Sequence, residues 1–215
     1  MSIQHHPSEE LLTAFAAGTL DRGQHIAAAT HLGHCPACRG WVKSVENVGG
    51  AVLAELPPAP MAPDALSRIA PRLAEAPHQS ASRRDGDSLP DVPGLPAFVR
   101  ALPAEPWVWV APSLHVRRIE LGGTSPTRVF LLKSGPGTKL LPHTHTGFEL
   151  TCVLTGSFTH DNRRYAVGDF DMGTPEDEHE IEIGTDEACI SLVAMQGTLR
   201  LKGVFGRLLQ PLISF

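Results

Sequence analysis

The spacing of apolar residues changes near Leu95, and this change constrains the fold more than any other feature of the sequence. Before it, apolar residues recur every three or four positions, as on one face of a helix. After it, short runs rich in Val, Ile, Leu and Phe alternate with turn residues, as in the strands of a β-sandwich or barrel. The sequence therefore predicts a multidomain chain that is helical first and β-rich afterwards.

Residues 1–76 are expected to form a small helical domain. Ser8 suits the N-cap of a first helix, and Asp21 suits that of a second, Ala-rich helix that reaches His31. A third helix is predicted from about Pro36 to Leu56. Three short helices bury a thin core, which a metal ion can stabilise.

A fourth, detached helix is predicted after the PPAPMAP segment at 57–63. Asp64 precedes a short amphipathic stretch with Leu66, Ile69 and Leu73 on one face. This stretch has little to pack against in its own half, so we expect it to need a partner.

Residues 77–94 are polar and rich in Pro and Gly, which is typical of a flexible linker. The β-rich domain is expected over 95–215, where six apolar runs read as strands. These runs are WVWV at 107–110, LHVRRIEL at 114–121, RVFLLK at 128–133, FELTCVL at 148–154, EIEI at 180–183 and ACISLVAM at 188–195.

The charge balance disfavours direct nucleic-acid binding. The 18 Lys and Arg residues against 23 Asp and Glu residues give a net charge of −5, with no basic stretch. We expect no membrane contact, because no apolar run is long enough to cross a bilayer. The opening MSIQHHPSEE lacks the regions of a signal peptide, so a cytoplasmic protein with reduced thiols is expected.

His31, Cys35 and Cys38 form the most informative spacing in the helical half. At 100° per residue they fall within about 60° on one helix face. Zinc takes ligands that converge at about 2.0–2.3 Å, and thiolates with imidazoles suit a closed tetrahedral site. The spacing predicts a structural zinc site whose fourth ligand comes from elsewhere, with His5 and His6 as candidates.

Other interpretations of this cluster stay open. Cys35 and Cys38 could be buried thiols without a metal, and a redox Cys-x-x-Cys pair lacks the βαβ context it needs. His34 competes with His31 because it precedes Cys38 by four residues. His31 is preferred because it lies on the common helical stripe.

Two glycines frame two histidines and a glutamate in the β-rich half, in the pattern Gly137-x5-His143-x-His145-x3-Glu149-x6-Gly156. Alternate residues of a strand point to one side, so the imidazoles and the carboxylate can share one barrel wall. Such mixed ligands suit Zn, Mn, Fe, Ni or Cu. His179, eleven residues after Gly168, can complete the set. The alternative is a barrel whose histidines bind no metal.

Four further side chains are given ordinary roles. His115 and His160 are interpreted as strand or turn histidines, and Cys152 and Cys189 as buried small hydrophobic residues. A second interpretation makes the two cysteines redox-sensitive groups near the metal.

The opening IQHHPSEELLTAFAAGTL and the later THLGHCPAC resemble the zinc-binding anti-sigma (ZAS) domain of ChrR-type anti-sigma factors. The resemblance covers roughly residues 1–76. It implies a zinc site formed by His6, His31, Cys35 and Cys38. It also implies that the domain wraps a group IV (extracytoplasmic-function, ECF) sigma factor and blocks it from core RNA polymerase, with residues 64–75 as the clasping helix.

The second half resembles a cupin, with the first motif complete and the second degraded. Thr174 stands where the second motif usually has Pro, Glu176 where it has Gly, and Ile183 where it often has Asn. The resemblance implies a site for a divalent metal, Zn²⁺ first and otherwise Mn, Fe or Ni. The implied ligands are His143, His145, Glu149 and His179. In ChrR-type factors a cupin-like domain follows the ZAS domain and is needed to respond to singlet oxygen and related oxidants.

We therefore expect a transcriptional regulator that releases its sigma factor when the cupin domain senses an oxidant, and not an enzyme. The expected partner forms a 1:1 heterodimer, although a cupin sheet can also pair across an edge into a homodimer. The alternative is a metal-dependent, dioxygenase-like cupin enzyme with an accessory zinc domain, which an open coordination position would permit. Four protein ligands and the lack of a separate acid or base count against an enzyme.

Overall fold

The computed structural model of the protein describes residues 2–74, 89, 92–123, 125–175 and 180–201. Within these ranges four helices come first, and a short fifth helix leads into a set of antiparallel strands. The predicted order of a helical and then a β-rich part is confirmed. Most of the predicted linker over 77–94 lies outside the described residues, so the domain boundaries stay predictions. Its described residues Leu89 and Val92 are buried in the core, which does not agree with a flexible linker at those two positions.

The helices follow the capping signals of the sequence. They are α1 (Glu9–Ala16), α2 (Arg22–His34), α3 (Pro36–Glu55), α4 (Ala65–Ala74) and α5 (Ala97–Arg100). The Ser8 hydroxyl accepts from the Leu11 amide at the start of α1. Asp21 starts α2 with a capping box in which the Gln24 side chain accepts from the Asp21 amide.

Cys35 separates α2 from α3, in agreement with the predicted helix boundaries at His31 and Pro36. The argument that placed His31, Cys35 and Cys38 on the face of one continuous helix is therefore wrong. Pro36 disfavours helical backbone in the residue before it. Cys35 accordingly has φ −104° and ψ 103°, which is extended backbone. The chain turns between the two helices at this point.

The strands form one large sheet and two smaller ones. They are β1 (Val108–Ala111), β2 (Leu114–Ile119), β3 (Arg128–Ser134), β4 (His143–His145), β5 (Glu149–Thr155), β6 (Ser157–His160), β7 (Arg163–Ala166), β8 (Phe170–Gly173), β9 (Ile181–Ile183), β10 (Cys189–Met195) and β11 (Leu199–Leu201). The large sheet has the order β1-β2-β3-β10-β5-β8, and the smaller ones are β7-β6-β9 and β11-β4. Neighbouring strands are antiparallel throughout these sheets.

Both faces of the large sheet are covered around β5. Leu150 and Cys152 lie in a core on the outer face, whereas Val153 packs with Phe158 and Tyr165 of the three-stranded sheet. A strand buried on both faces has mostly apolar residues in succession, rather than at alternate positions. This explains the continuous apolar run at 148–154.

Helix α2 packs on the outer face of the large sheet. Ile26 and Ala27 share one core with Leu150 and Leu192. The Asp21 carboxylate, which caps α2, also accepts a 2.6 Å hydrogen bond from the Thr127 hydroxyl. The helical part and the cupin-like part therefore share one apolar core in the described residues.

An apolar surface on α3 and α4 faces solvent. It consists of Val48, Val52, Leu53, Leu56, Leu66, Ile69 and Leu73, whose exposed fractions range from 50% to 77%. Residues 66–73 are exposed on all sides, as the detached fourth helix predicts. We call these seven residues the α3–α4 apolar surface. In the described ranges, no helix has the length and apolar character needed to cross a membrane.

Candidate metal centres

Four side chains of the helical part converge on one point. One donor atom from each of His6, His31, Cys35 and Cys38 lies within 4.8 Å of the others. His31, Cys35 and Cys38 are buried, and His6 covers them from the solvent side. These are the four ligands that the family resemblance implies.

The distances fit a tetrahedral ion. His6 Nδ1 is 3.4 Å from Cys35 Sγ and 3.3 Å from Cys38 Sγ, and His31 Nε2 is 3.3 Å from Cys38 Sγ. Bonds of about 2.3 Å to sulfur and about 2.0–2.1 Å to nitrogen would place neighbouring ligands about 3.5 Å apart. Two thiolates and two imidazoles are a common donor set for structural zinc, so these residues fit that metal.

Local structure brings these ligands together. His31 occupies the last turn of α2, Cys35 links the two helices, and Cys38 lies in the first turn of α3. The Cys38 amide donates to Cys35 Sγ at 3.4 Å, which holds the two sulfurs side by side. His6 arrives from the extended segment before α1.

The competing histidines are engaged elsewhere. His5 stacks on Tyr165 with ring centroids 4.1 Å apart, and its Nε2 donates to the Arg164 carbonyl at 3.2 Å. His34 Nε2 donates to the Gly94 carbonyl at 2.8 Å. The structure therefore brings His6 and His31 to the cluster, and not His5 or His34.

Burial makes a charge on the side chains of this cluster unfavourable. It lowers the pKa of His31 to about 4 and raises the pKa of Cys38 to about 12, where a hydrogen bond involving Cys35 adds to the effect. The imidazole is thus neutral and ready to bind a cation. A thiolate at Cys38 needs a compensating positive charge, which a divalent metal supplies.

The structure brings three of the four predicted cupin ligands to one region. His145 Nε2 lies 3.6 Å from Glu149 Oε2, and the His143 and His145 ring centroids are 5.0 Å apart. His143 Nδ1 donates to the Leu141 carbonyl at 2.8 Å, which orients the ring. His179 lies outside the described residues.

Two imidazoles and a carboxylate are donor types that divalent metals use, although among the described residues only the His6 cluster brings its donor atoms within 4.8 Å of one another. The side chain of His145 is fully buried and that of Glu149 is 15% exposed. Burial lowers the pKa of His143 and raises the pKa of the Glu149 carboxyl, while the nearby His143 opposes the second shift. A cation between them would favour the neutral imidazole and the carboxylate that ligation requires.

His160 and Asp171 lie beside this second cluster. The sequence interpretation gave His160 only the role of a strand or turn histidine and did not name Asp171. His160 is 8% exposed, and its Nδ1 is 2.9 Å from Asp171 Oδ2. Both groups influence the pKa of Glu149. The signal in the sequence was the alternation of β6, which puts His160 on the same face as the inward-facing Phe158. His115 lies on β2, where it pairs with Lys133 of β3.

Cys152 and Cys189 are buried, as predicted. Cys152 lies in the core shared with α2, on the face of β5 opposite to Glu149. Cys189 lies in the core between the sheets with Ile181 and Ile183. Burial raises the pKa of both thiols.

Comparisons with known proteins match both parts of the chain. A family model of the ChrR cupin-like domain matches residues 97–198, and a zinc-finger family model matches residues 8–39. The chain is 32% identical over 214 residues to the anti-sigma-E factor ChrR of Cereibacter sphaeroides, covering 98% of each sequence. The solved structure of Rhodobacter sphaeroides SigE in complex with the anti-sigma ChrR is similar with a TM-score of 0.73 and 30% sequence identity. That similarity covers 91% of this chain and 100% of the solved one.

Fold and site together define a regulator built from a zinc-finger helical part and a cupin-like part. The similarity to the anti-sigma-E factor ChrR over nearly the full length shows which family of regulators this is. The chain belongs to the ChrR family of anti-sigma factors. The relative is a regulator rather than an enzyme, so the family and the non-enzymatic role predicted from the sequence are confirmed.

Proposed function

We propose that this protein sequesters a sigma-E-type, group IV (ECF) sigma factor in a 1:1 complex. Zinc held by His6, His31, Cys35 and Cys38 fixes the helical part that contacts the sigma factor. The four-residue cluster carries this proposal, because its closed donor set binds a metal that stabilises rather than catalyses. The partner is proposed from the solved complex of the related ChrR with SigE.

The α3–α4 apolar surface supports a protein partner. Seven large apolar side chains lie along α3 and α4, and each is at least half exposed. A group of exposed large apolar side chains on neighbouring segments of the chain is typical of an interaction site. Zinc fixes the start of α3 through Cys38 and thereby the direction in which this surface extends.

The cupin-like part is proposed to sense singlet oxygen or a related oxidant. His143, His145, Glu149 and His179 would hold a divalent metal, with Zn²⁺ as the first candidate. That ion would supply a Lewis-acidic centre. The chain's own residues fix the ring of His143 through Leu141 and bring Glu149 beside His145. We propose that the protein acts in the cytoplasm, where it meets RNA polymerase.

Paired substitutions test this division of roles. We expect Cys35→Ser and Cys38→Ser to lose zinc and sigma inhibition, because each leaves an incomplete tetrahedral set. We expect His143→Ala and His179→Ala to keep inhibition and to lose the response to a singlet-oxygen generator. Zinc content, sigma-dependent transcription in vitro and reporter induction in cells are the three readouts.

Matched controls separate these effects from general damage. Cys189→Ala removes a buried thiol outside the zinc cluster, and His115→Ala removes a histidine outside the cupin cluster. Both should keep zinc, inhibition and the oxidant response. Loss of sigma binding in the His143 or His179 variants would show that the division of roles is wrong.

A further inference from the structure

The β7–β8 turn, residues 167–169, lies against the parts of the chain that carry the candidate zinc ligands. We propose that this turn of the cupin-like part is the outer hydrogen-bond shell of the zinc site and holds the zinc ligands in position. The inference deepens the proposed function and rests on it, because it concerns how the state of the cupin-like part reaches the sigma-binding part.

The first contact orients His31. Its Nδ1 donates to the Gly168 carbonyl at 2.7 Å, and its Nε2 lies beside Cys38 Sγ. A metal-bound histidine usually donates its second ring N–H to such an acceptor, which fixes the tautomer and the ring orientation. His31 is fully buried, so loss of the carbonyl would leave a buried N–H unpaired.

The second contact holds the segment that carries His6. Asp169 Oδ1 accepts from the Gln4 amide at 2.7 Å and from the His5 amide at 3.0 Å. The Phe170 amide donates to the His5 carbonyl at 3.1 Å. Asp169 is only 3% exposed, and its Oδ2 accepts from the Ala166 amide at 2.8 Å. A buried carboxylate with three N–H donors makes strong, charge-assisted bonds.

Close packing at Gly168 joins the two contacts. Its φ is +88°, which a side chain rarely tolerates. A Cβ atom there would lie 2.8 Å from Ile3 Cδ1 and 3.0 Å from His34 Cβ. The turn therefore lies directly on the N-terminal segment and on the end of α2, which are the two parts that supply the imidazoles.

Strand β8 connects this turn to the cupin cluster. Asp171, two residues after Asp169, lies 2.9 Å from His160. In the register with β5, Asp171 faces Thr151 and Gly173 faces Glu149. A shift of β8 at the cupin cluster would therefore move the acceptors of the zinc shell, since packed elements transmit displacements.

Zinc affinity of the full chain tests the proposal. We expect Asp169→Ala to bind zinc about 10- to 100-fold more weakly than the wild type in competition with a chelator. Asp169→Asn is the milder variant and should weaken binding in the same direction, because an amide cannot accept from donors on both sides. Thr127→Val is the matched control. It removes a buried contact to α2 that lies away from the ligands, so zinc affinity should stay at the wild-type value.

The absorption bands of Co²⁺ bound in place of zinc report the geometry of the four ligands. They would not change if Asp169 contributed only to the stability of the fold. The d–d and thiolate charge-transfer bands of the Co²⁺-loaded wild type and Thr127→Val should agree, and those of the Asp169 variants should differ. Unchanged zinc affinity and bands in both Asp169 variants, or equal weakening in Thr127→Val, would overturn the inference. Failure of the wild type to bind zinc at all would instead refute the proposed function.

Discussion

At the scale of single residues, burial gives the cysteines two different chemistries. Cys35 and Cys38 are buried beside two imidazoles, where a metal can hold the thiolates. Cys152 and Cys189 are buried among apolar side chains, without a metal-like donor set in the described residues. All four thiols are buried, so their neighbours decide their chemistry. The imidazoles predict metal binding for Cys35 and Cys38, and the apolar surroundings predict inert thiols for Cys152 and Cys189.

Thiol alkylation tests this difference. Burial raises the pKa of Cys189 to about 11, so at pH 8 only about one thiol in a thousand is ionised. The pKa of Cys152 is raised further by burial and by nearby Asp169. We expect iodoacetamide to label neither residue in the folded protein and both after unfolding in guanidinium, as measured by peptide mass spectrometry. Labelling of Cys189 in the folded, zinc-loaded protein would favour the redox-sensitive interpretation.

Residue spacing was sufficient to select three candidate zinc ligands but not to decide which histidine completes the set. His31, Cys35 and Cys38 followed from local spacing, whereas the choice of His6 over His5 depended on the family resemblance. The structure supplies the physical reason, because His5 lies against Tyr165 of the cupin-like part. No local spacing reports such a contact between residues far apart in the chain.

At the scale of elements, α4 carries its apolar stripe without a partner in the described residues. Ile69 is 50% exposed and Leu66 is 75% exposed. An apolar face at helical spacing is normally covered. Its exposure is expected if the sigma factor provides the covering surface.

A charge on this stripe should weaken the complex and spare the fold. We expect Ile69→Glu to cost about 2 kcal/mol of binding, or roughly 30-fold in Kd, because an interface core tolerates an unpaired charge poorly. Ser67→Glu puts the same charge on another side of α4 and should bind nearly as the wild type does. Titration calorimetry with the partner sigma factor measures both, and zinc content confirms that the helical part is intact. If Ile69→Glu binds the sigma factor as tightly as Ser67→Glu and the wild type do, the apolar stripe of α4 lies outside the interface.

The strands show which elements sequence pattern can identify. Apolar runs predicted β1, β2, β3, β5, β9 and β10 close to their observed positions. Strands β4, β6, β7, β8 and β11 were not among the predicted runs. They have only three or four residues, and polar or charged residues interrupt them, as in HTH of β4 and RRYA of β7. The break between α2 and α3 lies within the predicted gap between His31 and Pro36, because Pro36 limits the backbone of Cys35.

At the scale of the whole molecule, the two parts share a core and a hydrogen-bonded zinc shell. Ile26 and Ala27 of α2 pack with Leu150 and Leu192 of the large sheet. The β7–β8 turn meets His31 and the segment before His6. The sequence predicted both parts but not how they pack, because contacts between residues far apart in the chain produce no repeating pattern in the sequence. This contact gives the proposed sensor a direct physical route to the proposed sigma-binding part.

The central claim is that the intact chain holds a sigma factor and releases it on oxidation. The most direct measurement is the stoichiometry of proteins that co-purify with the tagged full chain from its native host, determined by mass spectrometry with and without a singlet-oxygen generator. The account predicts one group IV sigma factor per chain in untreated cells and its loss after treatment. A preparation in which no sigma factor accompanies the zinc-loaded chain would contradict the account, and a sigma factor that stays bound after treatment would contradict the proposed signal.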